Sequence, residues 1–313
     1  MRERTKSFLV IFAIAAALIV PSAIALRTVV DPAILQPTSS DPTPIGYTWS
    51  LLLFVIPVAA LAWWFACRRD LKFPRKAFWR TIAVLTPVGF LLDLLFGNAF
   101  FVFPNKAATL GLDVPAVGGA IPVEEFVFYL TGFMLVLLSY IWCDEYWMGF
   151  YNVPDYQTAA AGIPRIVGFH FASVILGVVL IAAAVLYRKF LSGEPGGFPW
   201  YFIYLTCGSL IPSAGFFHTA RDFINWRAFS FTFFLLLLVS LLWEVTLALP
   251  YGWWEYRPGT LMGLHVGAWS GLPIEAVFVW FAVTFTTIIT YEVIKIWKAL
   301  GTRALEAFFG IRK

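Results

Sequence analysis

The chain has 313 residues, of which 60% are hydrophobic and only 13% charged. So apolar a composition over this length excludes an ordinary soluble domain and describes a polytopic membrane protein. The net charge of +4 comes from basic residues flanking apolar runs, not from a groove-like cluster, which excludes a nucleic-acid partner.

Eight stretches, roughly 8–26, 47–67, 80–98, 120–142, 166–187, 199–218, 229–250 and 272–294, are long enough to cross about 30 Å of hydrocarbon as helices. None alternates like a barrel strand, so the expected class is all-α: a membrane helical bundle of about eight spans. Residues 1–46 read as an N-terminal anchor and outer loop. Arg2, Arg4 and Lys6 precede an apolar run ending Pro21-Ser-Ala-Ile-Ala25, a pattern shared with cleaved signal peptides. The run is long enough to span, and its removal would leave seven spans with the same later topology. Pro32, Pro37, Pro42 and Pro44 make 27–46 irregular. Residues 47–142 form a first three-helix unit, 143–198 a linker with one span, and 199–297 a second three-helix unit. The linker span is rich in small residues (Gly168, Ala172, Ser173, Gly177, Ala182 to Ala184), which suits close helix packing. The tail 298–313 mixes Leu300, Leu305, Phe308 and Phe309 with Lys298, Arg303, Arg312 and Lys313, the pattern of a short interfacial helix or a frayed terminus. With the N-terminus inside, the inner segments hold 17 of the 22 Lys and Arg, so both termini are expected on the cytoplasmic side of the cytoplasmic membrane. Cys67, Cys143 and Cys207 are scattered and read as packing residues.

The two units match at an offset of 151 residues without gaps: Asp93 falls on Glu244, Pro122 on Pro273, Glu124 on Glu275 and Tyr140 on Tyr291. Trp49 and Trp200, Phe65 and Phe216, and Ala77-Phe78 and Ala228-Phe229 extend the match. Three spans plus the linker span make an even number of crossings. The repeats therefore share one orientation and are related by an axis along the membrane normal.

Carboxylates in apolar segments are costly and need a reason. Asp93 lies late in one span; Pro122-Val-Glu124-Glu125 opens the next. Glu244 leads to Pro273-Ile-Glu275-Ala276 in the same way, and the acid-to-glutamate distance is 31 residues in both units. The intervening loop returns the chain to the depth it left, so Asp93 is expected beside Glu124, and Glu244 beside Glu275. Proline suits a first-turn position, and a helix start favours a carboxylate. Helix capping is therefore the bland reading of Glu124, Glu125 and Glu275, and a structural hydrogen-bonded network that of Asp93 and Glu244. The sharper reading is acid–base chemistry. A buried carboxyl donates a proton, a neighbour in another environment accepts one, and aromatic faces stabilise a cation between them. Phe101, Phe103, Tyr129, Trp253, Trp254, Tyr256, Trp269 and Trp280 lie close in sequence. The chain carries no dinucleotide fingerprint, no His spacing for a metal, no aspartate-rich magnesium motif and no nucleophile elbow. Chemistry without cofactor or metal on a lipid-soluble substrate is the expectation that remains.

These residues resemble the small integral-membrane lycopene cyclase domain, which occurs in heterodimeric or fused forms in bacteria, archaea and fungi. The likeness rests on Asp93, Phe101 to Asn105 and Pro122-Val-Glu124-Glu125-Phe-Val-Phe128-Tyr129. In the second unit it rests on Glu244, Gly252 to Pro258, Pro273-Ile-Glu275-Ala276-Val-Phe-Val-Trp280 and Tyr291-Glu292. It covers most of residues 47–297. The resemblance implies carotenoid biosynthesis: cyclisation of a ψ end group of lycopene to an ionone ring, by protonation, ring closure and proton loss. Glu124 and Glu125 become the leading acids, with Glu275, Asp93 and Glu244 completing the site. Phe101, Phe103, Asn105, Tyr129, Trp254, Tyr256, Trp269 and Trp280 become substrate-binding candidates. Ala276 departs from the motif where a second glutamate would stand, so the two units need not act alike.

Two other readings use the same residues. One is a cyclase or hydratase of another isoprenoid. The other is a proton-coupled transporter, which needs polar residues through the full depth, whereas the inner halves of these spans read as almost purely apolar. The expected partners are a hydrophobic polyene and membrane lipid, and a fused pair of units is able to act as a monomer.

Overall fold

The computed structural model describes residues 44–68, 70–193, 196–266 and 271–311. The expected span 8–26, its basic flank, nearly all of the loop 27–46, and Trp269 lie outside the described residues.

The described chain is mostly helical. Helix α1 is Gly46–Cys67 and α2 is Arg75–Phe100. Helix α3, Val123–Trp142, runs on through a π turn, Cys143–Trp147. A short α4, Tyr156–Ala160, follows. Helix α5, Phe171–Leu186, ends in a π turn, Tyr187–Leu191. Then come α6, Trp200–Ala220, and α7, Trp226–Trp243, which ends in a π turn, Glu244–Ala248. The long α8, Ile274–Leu300, and the short α9, Ala304–Phe309, close the chain. Six of these helices (α1, α2, α3, α5, α7 and α8) are long and apolar enough to cross a membrane. Helix α6 is as long but carries Thr206, Ser209, Ser213, His218 and Thr219, and it is not one of the six. The described residues are those of a helical, multi-pass membrane protein.

Sequence explains most boundaries. Helix α2 starts five residues before its apolar run because Arg75, Lys76 and Arg80 form polar first turns, able to stand outside the hydrocarbon. Pro122 and Pro273 stand immediately before α3 and α8, in extended backbone. They therefore cap the helices rather than occupy the first helical turn. Asn225 caps α7 by accepting the Ala228 N–H at 3.2 Å. Asp155 caps α4, accepting the N–H groups of Gln157 and Thr158. The Thr158 hydroxyl, then those N–H groups, hold its carboxyl below the usual carboxylate range.

Helices α3 and α8 form the centre, with 50% and 61% of their apolar windows buried against 22% for α2 and α5. They pack on each other, and α2 and α7 each pack on both. Helix α1 packs on α3, and α6 on α8. The Tyr140 and Tyr291 rings meet edge to face at 6.0 Å across the central pair. Lipid is as apolar as these side chains, so close packing and polar contacts hold the helices together. The contact of α5 with α6 shows why a small residue is needed. A Cβ added at Gly177 would lie 2.7 Å from Leu210 Cδ2.

One end of the bundle is covered by three two-stranded antiparallel ribbons. Strand β1 (Phe101–Val102) pairs with β4 (Glu255–Tyr256), joining the two loops. Strands β2 (Asp113–Ala116) and β3 (Gly119–Pro122) form a hairpin leading into α3, turned by Gly118 at φ 79°. Strands β5 (His265–Val266) and β6 (Leu272–Pro273) do the same for α8. We call this the loop end.

Candidate functional site

Beneath the ribbons lies a cavity walled by aromatics. Phe101 comes from β1, Phe103 and Trp254 from the loops, Tyr256 from β4, Phe128, Tyr129 and Phe133 from α3, Tyr201 from α6, Trp243 from α7 and Trp280 from α8. Gly132, Ser240, Val279 and Val283 complete the wall. Two acids face it: Glu125 from the first turn of α3, and Glu244, where α7 becomes a π turn. Such turns recur at functional sites because they re-aim one side chain. No Lys, Arg or His lines the cavity among the described residues.

The acids have distinct surroundings. Glu125 Oε1 accepts the Tyr47 hydroxyl at 2.6 Å, and Asp93, Glu124 and Glu244 lie within its electrostatic reach. Glu244 accepts the Tyr256 hydroxyl in a short hydrogen bond, with Trp254 as a second donor. Burial first, then the Glu244 charge, push the Tyr256 phenol well above its usual range, so Tyr256 stays a donor. Asp93 is buried and accepts the Tyr129 hydroxyl at 3.4 Å. It sits nearer Glu125 and Tyr129 than the expected Asp93–Glu124 pairing implies. Gly97 makes room for it, since an added Cβ would lie 2.6 Å from Asp93 Oδ1.

Glu124 and Glu275 point elsewhere. Glu124 Oε1 accepts the Leu110 N–H at 2.7 Å and the Thr48 hydroxyl at 2.6 Å. Glu275 accepts the Met262 N–H, with the buried Arg188 guanidinium in electrostatic reach. Each glutamate thus ties down the loop preceding its own hairpin, and neither lines the cavity. Asn105 also works in the loops, donating from Nδ2 to the Tyr251 carbonyl at 3.0 Å. Of the remaining candidates, Phe101, Phe103, Tyr129, Trp254, Tyr256 and Trp280 all line the cavity, and Trp269 lies outside the described residues.

Sequence reasoning missed Trp243, Phe128, Tyr201, Ser240 and Tyr47. Trp243 precedes Glu244 and Phe128 precedes Tyr129, so a wider aromatic window would have found both. Tyr47, 78 residues from Glu125, had no local signal. The rings cluster tightly: Phe128 stacks on Trp243 at 5.5 Å, and Trp243 meets Trp254 at 5.0 Å. Ring faces are negative, so such a wall attracts a cation.

A second polar cluster lies at the opposite end, about 25 Å along α8 from Glu275 at 1.5 Å per residue. Lys295 Nζ lies 3.3 Å from Glu292 Oε1 and 3.4 Å from Asp144 Oδ2, all three buried. Glu292 also accepts the hydroxyls of Tyr140 at 3.0 Å and Tyr156 at 2.6 Å. Asn225 Nδ2 donates to Asp144 at 3.0 Å. Burial, then the Glu292 charge, push the Tyr156 phenol far above its usual range. Five buried hydroxyls, of Thr86, Thr232, Thr284, Thr287 and Tyr291, have no protein partner among the described residues. The interior between the two ends is therefore less purely apolar than the sequence suggests.

The chain matches no protein-family model, no curated protein and no solved structure.

Proposed function

We propose that the chain is a cofactor-free membrane cyclase that closes an isoprenoid end group through a carbocation, with a lycopene-type ψ end as substrate. The observation that carries this reading is that two carboxyls, Glu125 and Glu244, face one aromatic-walled cavity lined by no basic residue among the described ones. Glu125, surrounded by three other acids, is assigned as the proton donor to the terminal double bond. Ring closure moves the positive charge between Phe128, Trp243 and Trp254. Glu244, held by two donors, is assigned as the base that removes the ring proton. No net electron or proton is consumed, so product and substrate have equal mass. Glu124 and Glu275 are assigned to holding the loops over the cavity.

The finer architecture belongs to the same proposal: eight spans, two parallel three-helix repeats and both termini cytoplasmic. Residues 151 apart meet along the central helix pair. Tyr129 and Trp280 line one cavity, as do Gly132 and Val283. Tyr140 meets Tyr291, and Asp144 pairs with Lys295. Matched residues meeting at both ends of α3 and α8 fit two parallel helices around an axis along the bundle. Among the described residues, Arg68, Lys72, Arg75, Lys76, Arg80, Arg165, Arg221, Arg227, Lys295, Lys298 and Arg303 lie towards the end opposite the loops, against Lys106, Arg188, Lys189 and Arg257 at the loop end. That asymmetry supports a cytoplasmic location for the basic end, the end of Lys295.

The test is expression in cells that accumulate lycopene, with pigments separated by chromatography and weighed by mass spectrometry. A product of unchanged mass and shortened chromophore, lost in Glu125→Gln and in Glu244→Gln, is expected. Unaltered lycopene beside folded protein would remove lycopene as substrate. A product heavier by one water would identify a hydratase. A proton-coupled transporter is the second reading, favoured by the unpartnered hydroxyls in the interior. It predicts proton uptake into vesicles driven by a solute and no new pigment.

A further inference from the structure

Trp280, Thr284, Thr287, Tyr291 and Lys295 are spaced by four, three, four and four residues along α8, which puts them on one narrow stripe of the helix. The stripe starts in the cavity wall with Trp280 and ends in the ion cluster with Lys295. Thr284, Thr287 and Tyr291 are all fully buried, and none of their hydroxyls has a protein partner among the described residues. Thr232 of α7, which packs on α8, is fully buried and unpartnered in the same way.

This sets them apart from many other hydroxyls in these helices. Thr81, Thr206, Ser209, Ser230 and Thr246 each donate to the carbonyl four residues earlier. That back-bond is the usual solution for a helical Ser or Thr. Buried polar groups that do not use the backbone are satisfied by something else, and the smallest ligand that both donates and accepts is water. The rise of 1.5 Å per residue puts successive side chains about 4–6 Å apart, a gap one water bridges. A hydroxyl both donates and accepts, so a row of them relays protons, which an apolar row does not.

We propose that this stripe is a water-binding proton path from the Asp144–Glu292–Lys295 cluster to the carboxyls of the aromatic cavity. The path rests on the cyclase reading for its purpose. Each turnover moves a proton from Glu125 to a substrate carbon and another from the ring to Glu244. The donor ends ionised and the base protonated, although the sum of protons is unchanged. One proton entering to Glu125 and one leaving from Glu244 along the stripe restore both. On one face of one helix the stripe runs from the wall of the cavity that Glu125 and Glu244 face to the Asp144–Glu292–Lys295 cluster.

The test uses the full chain in lipid nanodiscs and needs no substrate. On transfer to heavy water, infrared spectroscopy follows deuterium exchange of the protonated carboxyl band, assigned by its loss in Glu125→Gln or Glu244→Gln. In the Thr284→Val/Thr287→Val double variant, exchange is expected to slow about tenfold, the kinetic equivalent of one lost hydrogen bond. Tyr291→Phe is expected to slow it as well, and Thr284→Ser/Thr287→Ser, which keeps both hydroxyls, to restore the parent rate. Equal rates in the parent and valine variants, with unchanged melting temperatures, would overturn the path. So would the absence of any exchangeable cavity carboxyl in the parent. Failure of the cyclase reading shows separately, as unaltered lycopene with exchange still sensitive to Thr284 and Thr287.

Discussion

Glu124 and Glu125 are adjacent on α3, about 100° apart around the helix, and that angle separates two jobs. Glu124 reaches back to the Leu110 N–H and Thr48, while Glu125 looks into the cavity. Gln at 124 keeps an oxygen for both donors, so Glu124→Gln is expected to retain most cyclisation. Glu124→Ala leaves both donors without their acceptor and is expected to cost about 1–3 kcal/mol in thermal unfolding. Glu125→Gln is expected to abolish product with little loss of stability. Pigment analysis of the three variants checks the division, and full activity in Glu125→Gln would sink it. Gly97→Ala tests Asp93 in the same spirit. The new methyl collides with Asp93 Oδ1, and overpacking of this kind costs about 1–3 kcal/mol in a melt. The presence of costly acids was legible in the sequence; which of two neighbours faces the cavity was not. That depends on Tyr47, Thr48 and Leu110, which the fold brings in from α1 and the loop.

Among the elements, helix positions were legible because a run long enough to cross hydrocarbon has few alternatives. The helix ends were less so. Helix α2 adds polar turns at its start, and α7 finishes in a π turn that no periodicity announces. The ribbons at the loop end were not anticipated at all, because each strand is only two to four residues, too short to show a period, and β1 finds its partner β4 in the other unit. The ion cluster escaped notice for a related reason. Asp144, Glu292 and Lys295 come from two central helices, and only their packing brings them together. Lys295→Met leaves two buried carboxylates facing each other and is expected to cost about 3–5 kcal/mol. Adding Asp144→Asn and Glu292→Gln should recover part of that loss, because the uncompensated charges go with the lysine. Unfolding of the single and triple variants in detergent measures both. A triple variant less stable than Lys295→Met would mean that the hydrogen bonds of Tyr140, Tyr156 and Asn225 outweigh the charge.

For the whole molecule, the two polar ends give orientation a chemical meaning. If the lysine end faces the cytoplasm, the hydroxyl stripe supplies protons from a buffered compartment, and the ribbons cover the cavity on the far side. Lys106 and Asp222 mark the two ends, and both side chains are largely exposed, at 63% and 78%. A membrane-impermeant maleimide should therefore label Lys106→Cys in intact cells, and Asp222→Cys only after permeabilisation. Cys67, exposed at the lysine end of α1, serves as an internal control in the parent chain and is replaced by Ser in both variants. The opposite labelling pattern would put eleven of the fifteen described basic residues on the outer face, against the usual bias. It would also mean that the cavity draws protons from outside the cell. Activity would then follow external rather than internal pH, a dependence measurable in the same cells.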